Sequence, residues 1–94
     1  MLNELAQTIV EPKSQAVACE VEGETVILDM ASGQYFALDA IGSAVWRHLQ
    51  RPSTVQSICQ RLMEEYDVSA DRCESDVSAL IRQLEQHGLV GLSS

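Results

Sequence analysis

The chain has 94 residues, 46% hydrophobic and 21% charged, with fourteen acidic side chains against six basic ones and a formal charge of −8. That length supports one small domain with a single core and excludes two. The charge argues against nucleic acid as a partner, because such binding runs on phosphate neutralisation by Lys and Arg.

The start, MLNELAQTIVEP, carries Glu4 and Glu11 and lacks the basic-then-apolar layout of a signal peptide. No apolar run reaches the roughly 18 residues of a membrane span, so a cytoplasmic location is expected. Residues 1–15 read as an N-terminal segment in which AQTIV has room for one short strand before Pro12, and residues 16–92 read as the domain proper. From Ala16, Val17, Cys19 and Val21 alternate with Ala18, Glu20 and Glu22, and after Gly23 the β-branched run TVILD follows. Two such runs joined by a Gly-containing turn predict a hairpin. MASG supplies a second turn, with Gly33 where a positive φ is needed, and QYFAL is the third strand of an antiparallel meander.

Three helices are expected next. Asp39 is a good N-cap for AIGSAVWRHLQ, whose Ile41, Ala44, Val45 and Leu49 make one stripe. Ser53 and Gln56 have capping-box spacing before TVQSICQRLMEEY, where the apolar period runs from Val55 to Tyr66. Ser69 caps a third helix carrying Cys73, Val77, Leu80, Ile81 and Leu84, with Gly88 as its stop. The tail LVGLSS is expected to lie against the core through Leu89, Val90 and Leu92. The fold class is therefore α+β: a three-stranded antiparallel sheet followed by three helices, the content of a winged-helix domain.

Chemistry is harder to find. Cys19, Cys59 and Cys73 are odd in number and form no CxxC, so buried thiols are expected rather than a metal site. His48 and His87 fall near helix C-termini, a common structural placement. No nucleophile elbow, phosphate-cradling loop or zinc-protease motif occurs, so neither a catalytic residue nor a cofactor is expected. Gly42, in the first turn of the first helix, implies a close approach to the sheet or to Trp46, which should close the core with one edge exposed. The acidic stretch EEYDVSADRCESD, residues 64–76, reads as a solvated loop and helix start, or more sharply as a rim that steers a basic peptide.

The third strand stands apart. In a meander it is an edge, a row of unpaired N–H and C=O groups. It sets Phe36 and Leu38 on one face and Tyr35 and Ala37 on the other. Such an edge beside a helix is a setting in which an extended peptide adds as a further strand.

The stretch LDMASGQYFALDAIGSAVWRHL resembles the PqqD-like proteins, and within them the stand-alone recognition elements of lasso-peptide clusters. Leu28, Asp29, Gly33, Tyr35, Phe36, Leu38, Asp39, Gly42, Val45 and Trp46 carry the likeness, which extends over roughly residues 16–92. The resemblance implies a winged-helix-like fold that binds the leader of a ribosomally made precursor peptide by strand addition. The leader is then presented to a leader peptidase and an ATP-dependent cyclase or, for PqqD itself, to a radical enzyme of quinone-cofactor biosynthesis. Carried over by position, Gln34, Tyr35, Phe36, Ala37 and Leu38 would form one wall of the leader groove. Asp76, Val77, Leu80, Ile81 and Leu84 would form the other, with Glu74 and Asp76 meeting a polar or basic group of the leader. A winged-helix transcription regulator fits the element order, yet the third helix has only Arg72 and Arg82 amid four acidic groups.

Overall fold

A computed structural model describes residues 7–93. The chain runs β1 (Ile9–Pro12), β2 (Ala16–Val21), β3 (Glu24–Asp29), β4 (Tyr35–Ala37), α1 (Ala40–His48), β5 (Ser53–Thr54), α2 (Val55–Glu65), α3 (Ala70–Gln86) and β6 (Val90–Ser93). The expected meander is formed as an antiparallel sheet in the order β2-β3-β4. Its first turn is set by Glu22 and Gly23, with φ of 53° and 85°. Positive φ at both central residues lets a two-residue turn follow the twist of its strands.

The second turn is built by Asp29. Its carboxylate accepts from the Ala31 N–H at 3.0 Å and the Ser32 hydroxyl at 2.8 Å, and its carbonyl accepts from the Gly33 N–H at 2.7 Å. Gly33 takes a φ of 76°, as the turn requires.

Helix starts follow side-chain chemistry. The Asp39 carboxylate accepts from the Gly42 N–H at 2.7 Å, and Ser69 caps α3 through the Arg72 N–H at 3.3 Å. The capping box expected from Ser53 and Gln56 is not made. Ser53 pairs with Val10 in a strand and gives its hydroxyl to the His48 and Arg51 carbonyls, so the cap moves to Thr54. Tyr66 is the C-cap of α2, already extended, rather than part of its last turn. Gly88 ends α3 with a φ of 73°.

One core joins the layers. Ile27 from the sheet, Val45 from α1 and Leu49 at its C-cap, Ile58 and Leu62 from α2, and Val77 and Ile81 from α3 are fully enclosed. Each such side chain contributes about 1.5–3 kcal/mol of transfer free energy. Trp46 is 4% exposed, so the open edge expected for it is absent. Gly42 makes its close approach at the end of β4: a Cβ there would meet Leu38 Cβ and Asp39 Oδ1, both at 3.2 Å, and Leu38 continues the ladder through its N–H bond to the Thr25 carbonyl.

A second sheet, β5-β1-β6, lies outside the expected pattern. The N-terminal strand covers Ile9–Pro12, further along than AQTIV, and pairs with the tail from Ile9↔Ser93 to Pro12↔Val90. Val10, Leu89 and Val90 from this region are buried, so it closes one side of the core. Alternation here is too short to read as strand, and the pairing joins residues about eighty positions apart. Cys59 and Cys73 are buried as expected, but Cys19 is exposed, because β2 is an edge strand exposed over almost its whole length.

Candidate functional site

The open border of β4 follows from its register. Ile27 faces Phe36, with flanking bonds from the Leu38 N–H to the Thr25 carbonyl and from the Asp29 N–H to the Gln34 carbonyl, both 2.9 Å. In an antiparallel ladder such bonded pairs alternate with unbonded ones. Gln34, Phe36 and Leu38 therefore turn their backbone groups toward β3, and Tyr35 and Ala37 turn theirs away. Neither β1 nor β6 occupies that side, since both are paired in the other sheet. The border thus presents two N–H and two C=O groups to an incoming chain.

Beside this border runs a groove of about 460 Å³ between the end of β4, the start of α1 and one face of α3. Ile41, Val77 and Leu80 form its apolar floor, and Arg72, Asp76 and Gln83 its polar rim. Arg72 Nε lies 3.7 Å from Asp76 Oδ2. The pair is open to water, so it sets charge placement and adds little stability. A further hollow of about 350 Å³ shares Ile41, Arg72, Asp76 and Val77 with the groove and continues it toward Leu62, Tyr66 and Val68. A chain leaving β4 along α3 thus meets a continuous apolar trough edged by Asp67 and Asp76.

The site residues expected from sequence divide accordingly. Tyr35 and Ala37 are exposed on the border, Gln34 is exposed just before it, and Leu38, Asp76, Val77 and Leu80 line the groove. Phe36 points to the core side, half-buried, its ring centroid 4.5 Å from that of His87. Ile81 and Leu84 are buried in the core and are not part of the groove lining. The helical stripe 73, 77, 81 and 84 faces inward, whereas the groove is lined by 72, 76, 80 and 83, one residue earlier, with Val77 shared. Glu74 sits on the other flank of α3, in a hollow with Cys59 and Met63 against α2, so it does not join Asp76.

Sequence reasoning missed Arg72, Gln83 and the contribution of α1 to the groove. It also missed Ser43, whose buried hydroxyl accepts from the Thr25 N–H at 2.8 Å and donates to the Leu38 carbonyl at 3.3 Å. That side chain pins α1 to β3 and to the end of β4. The four-residue spacing of Arg72, Asp76 and Leu80 was the available signal for the groove face.

Among the described residues no cluster of three or more His, Cys, Asp or Glu side chains is placed to hold a metal ion. Burial, aided by the neighbouring Cys73, pushes the Cys59 thiol up to about 12 from 9.0, so it stays protonated and unreactive at neutral pH. His48 Nε2 lies 3.0 Å from Glu65 Oε1, tying α1 to α2. No helix among the described residues is long and apolar enough to cross a membrane.

Residues 24–90, from the central strand of the meander to the start of β6, match the family described as coenzyme PQQ synthesis protein D, PqqD. The chain belongs to the PqqD family. The solved structure of TbiB1 in complex with the TbiA(beta) leader peptide is 29% identical to this PqqD-family chain, with a TM-score of 0.80 over 85% of this chain and 93% of that one. Lasso peptide synthetase B1 complexed with the leader peptide is 23% identical, with a TM-score of 0.78 over 87% and 96%, and shares the fold. There is no significant match among curated proteins. Five of the residues that carry the PqqD-like pattern have scaffold roles: Asp29 and Gly33 make the turn, Asp39 caps α1, Gly42 admits Leu38 and Asp39, and Trp46 fills the core. Together they hold β4 with one side open.

Proposed function

We propose that this protein binds the leader segment of a ribosomally synthesised precursor peptide and delivers it to enzymes of lasso-peptide maturation. The leader adds as a strand to β4 through the outward groups of Tyr35 and Ala37, and its continuation lies in the trough along α3. The observation that carries this reading is the unpaired β4 border beside an apolar groove, in a chain that matches TbiB1, a protein solved with its leader peptide, over most of its length. Leu38, Val77 and Leu80 line the groove, Phe36 backs β4 from the core side, and Asp67 and Asp76 favour a leader with a basic residue near α3. The recipients are a leader peptidase and a cyclase, the setting is the cytoplasm, and the protein performs no bond chemistry of its own.

The experiment is a titration of synthetic leader peptide, labelled for fluorescence polarisation, into the full chain. Saturable binding below about 50 μM supports the proposal, and no binding at that concentration refutes it. The family match supports a second reading, delivery of a quinone-cofactor precursor to a radical enzyme. Binding of that precursor in preference to a lasso leader would select it.

A further inference from the structure

The meander has a second open border, on β2. Thr25, Ile27 and Asp29 spend their backbone groups on the β4 side, so Val26 and Leu28 bond to β2, where they face Cys19 and Val17. The Met30 N–H continues that ladder to the Gln15 carbonyl at 2.9 Å. Ala18 and Glu20 therefore turn their N–H and C=O groups away from β3, and among the described residues no other strand pairs with them. This border is six residues long against three for β4. Under it, on the helix side of the sheet, lies a hollow of about 310 Å³. Ala16, Ala18 and Glu20 form its roof, and Trp46, Arg47 and Gln50 its other wall. The Arg47 guanidinium makes no ion pair among the described residues, although Glu20 lines the same hollow.

We infer that β2 is a self-association strand: two copies pair their β2 strands antiparallel about a twofold axis at Cys19, joining the two meanders into one six-stranded sheet. Self-complementarity selects a second copy as the occupant. With Ala18 of each copy opposite Glu20 of the other, every outward N–H and C=O of these residues finds a partner. The same register sets Val17 against Val21 and Cys19 against Cys19 on the outer face, so apolar meets apolar. A two-residue slip one way opposes Glu20 to Glu20, and the other way breaks the valine pairing. Charge agrees. Glu20 of one copy comes to lie beside Ala18 of the other, over the hollow that Arg47 lines, and symmetry makes that contact twice. Asp67, Glu74 and Asp76 line hollows beside α3 that share no residue with this one, and at 0.15 M salt charges more than about 8 Å apart are largely screened. The pairing closes on itself at two copies and leaves each β4 border free at a far end of the sheet, so it stands apart from the leader-binding reading.

The test is sedimentation equilibrium of the full chain up to about 500 μM in 0.15 M salt, where the mass should rise from one chain towards two with a dissociation constant on the order of 100 μM. Ala18→Pro removes an outward N–H and no bond to β3, so pairing should weaken about tenfold or more at an unchanged melting temperature. Arg47→Glu sets a carboxylate against Glu20 of the other copy and should weaken pairing about fivefold. The swap Glu20→Arg/Arg47→Glu should restore it to within about twofold, and these variants carry the test should the proline variant fail to fold. Register is read with diamide, which takes two protons and two electrons from two thiols as they join. Opposed Cys19 residues have Cα atoms about 4.5 Å apart, within the span of a disulfide. Cys19 should therefore cross-link about tenfold faster than the thiol of Val17→Cys/Cys19→Ser, which the register places beyond that span. A single chain throughout the range would overturn the inference and leave the border to a different acidic strand. So would a dimer indifferent to Arg47→Glu and to a folded Ala18→Pro, or one whose position 17 cross-links as fast as Cys19.

Discussion

Replacing Ala37 with proline separates the two sides of β4. The Ala37 N–H points away from β3, so proline there removes no bond of the sheet, and edge strands accept proline on the side facing solvent. The fold should persist with its melting temperature little changed. An incoming strand loses one hydrogen bond, worth about 1 kcal/mol, or roughly fivefold in affinity. The pyrrolidine ring also fills the space where the partner carbonyl would approach, so the combined loss is about tenfold or more. Phe36→Pro is the contrast. Its N–H belongs to the bonded pair with Ile27, and its loss orphans a carbonyl inside the sheet at a cost of about 2 kcal/mol, or a melting temperature roughly 10 °C lower. Fluorescence polarisation with labelled leader and a thermal melt read both effects. Leader binding by Ala37→Pro within about twofold of the parent, with the fold intact, would refute strand addition at this border.

Tyr35→Ala should weaken leader binding while leaving the thermal melt nearly unchanged, because its ring is largely exposed; a large stability loss with intact binding would show it to be structural. Ser43→Ala leaves the buried Thr25 N–H without its acceptor, so chemical denaturation should show a loss of about 1–3 kcal/mol. At neutral pH the folded protein should take up one equivalent of maleimide quickly, at Cys19, and the unfolded chain three, as mass spectrometry would count. The raised Cys59 pKa has a definite sign. Below 9.0 the thiol is protonated in both states and adds no pH dependence; between 9.0 and about 12 the unfolded chain releases a proton that the native state keeps. Stability should therefore fall over that window by roughly 1 kcal/mol per pH unit at Cys59, an effect that Cys59→Ala removes.

What could be read from the sequence was governed by range. The hairpin turns, the Asp39 and Ser69 caps and the stop at Gly88 rest on chemistry within a few residues, and each appears where its signal stands. The pairing of β1 with β5 and β6 depends on partners dozens of positions away and left no local period. Ser53 shows a distant partner overriding a local motif: strand pairing with Val10 took it out of its capping box. In the groove, the apolar stripe of α3 was visible but its use was not. A helix that faces a core and a cleft shares its residues between them, and only the position of α1 decides that Leu80 lines the cleft while Ile81 does not.

The brevity of β4 sets limits on how long a guest can stay. Three residues leave four main-chain groups for an added strand, and at about 1 kcal/mol each these supply roughly 4 kcal/mol, half of what micromolar affinity demands before any ordering cost. Discrimination between rival peptides must then reside in the side chains that settle along α3, because the main-chain contribution is the same for every sequence. A grip so shallow also favours quick release, which suits the delivery role proposed above.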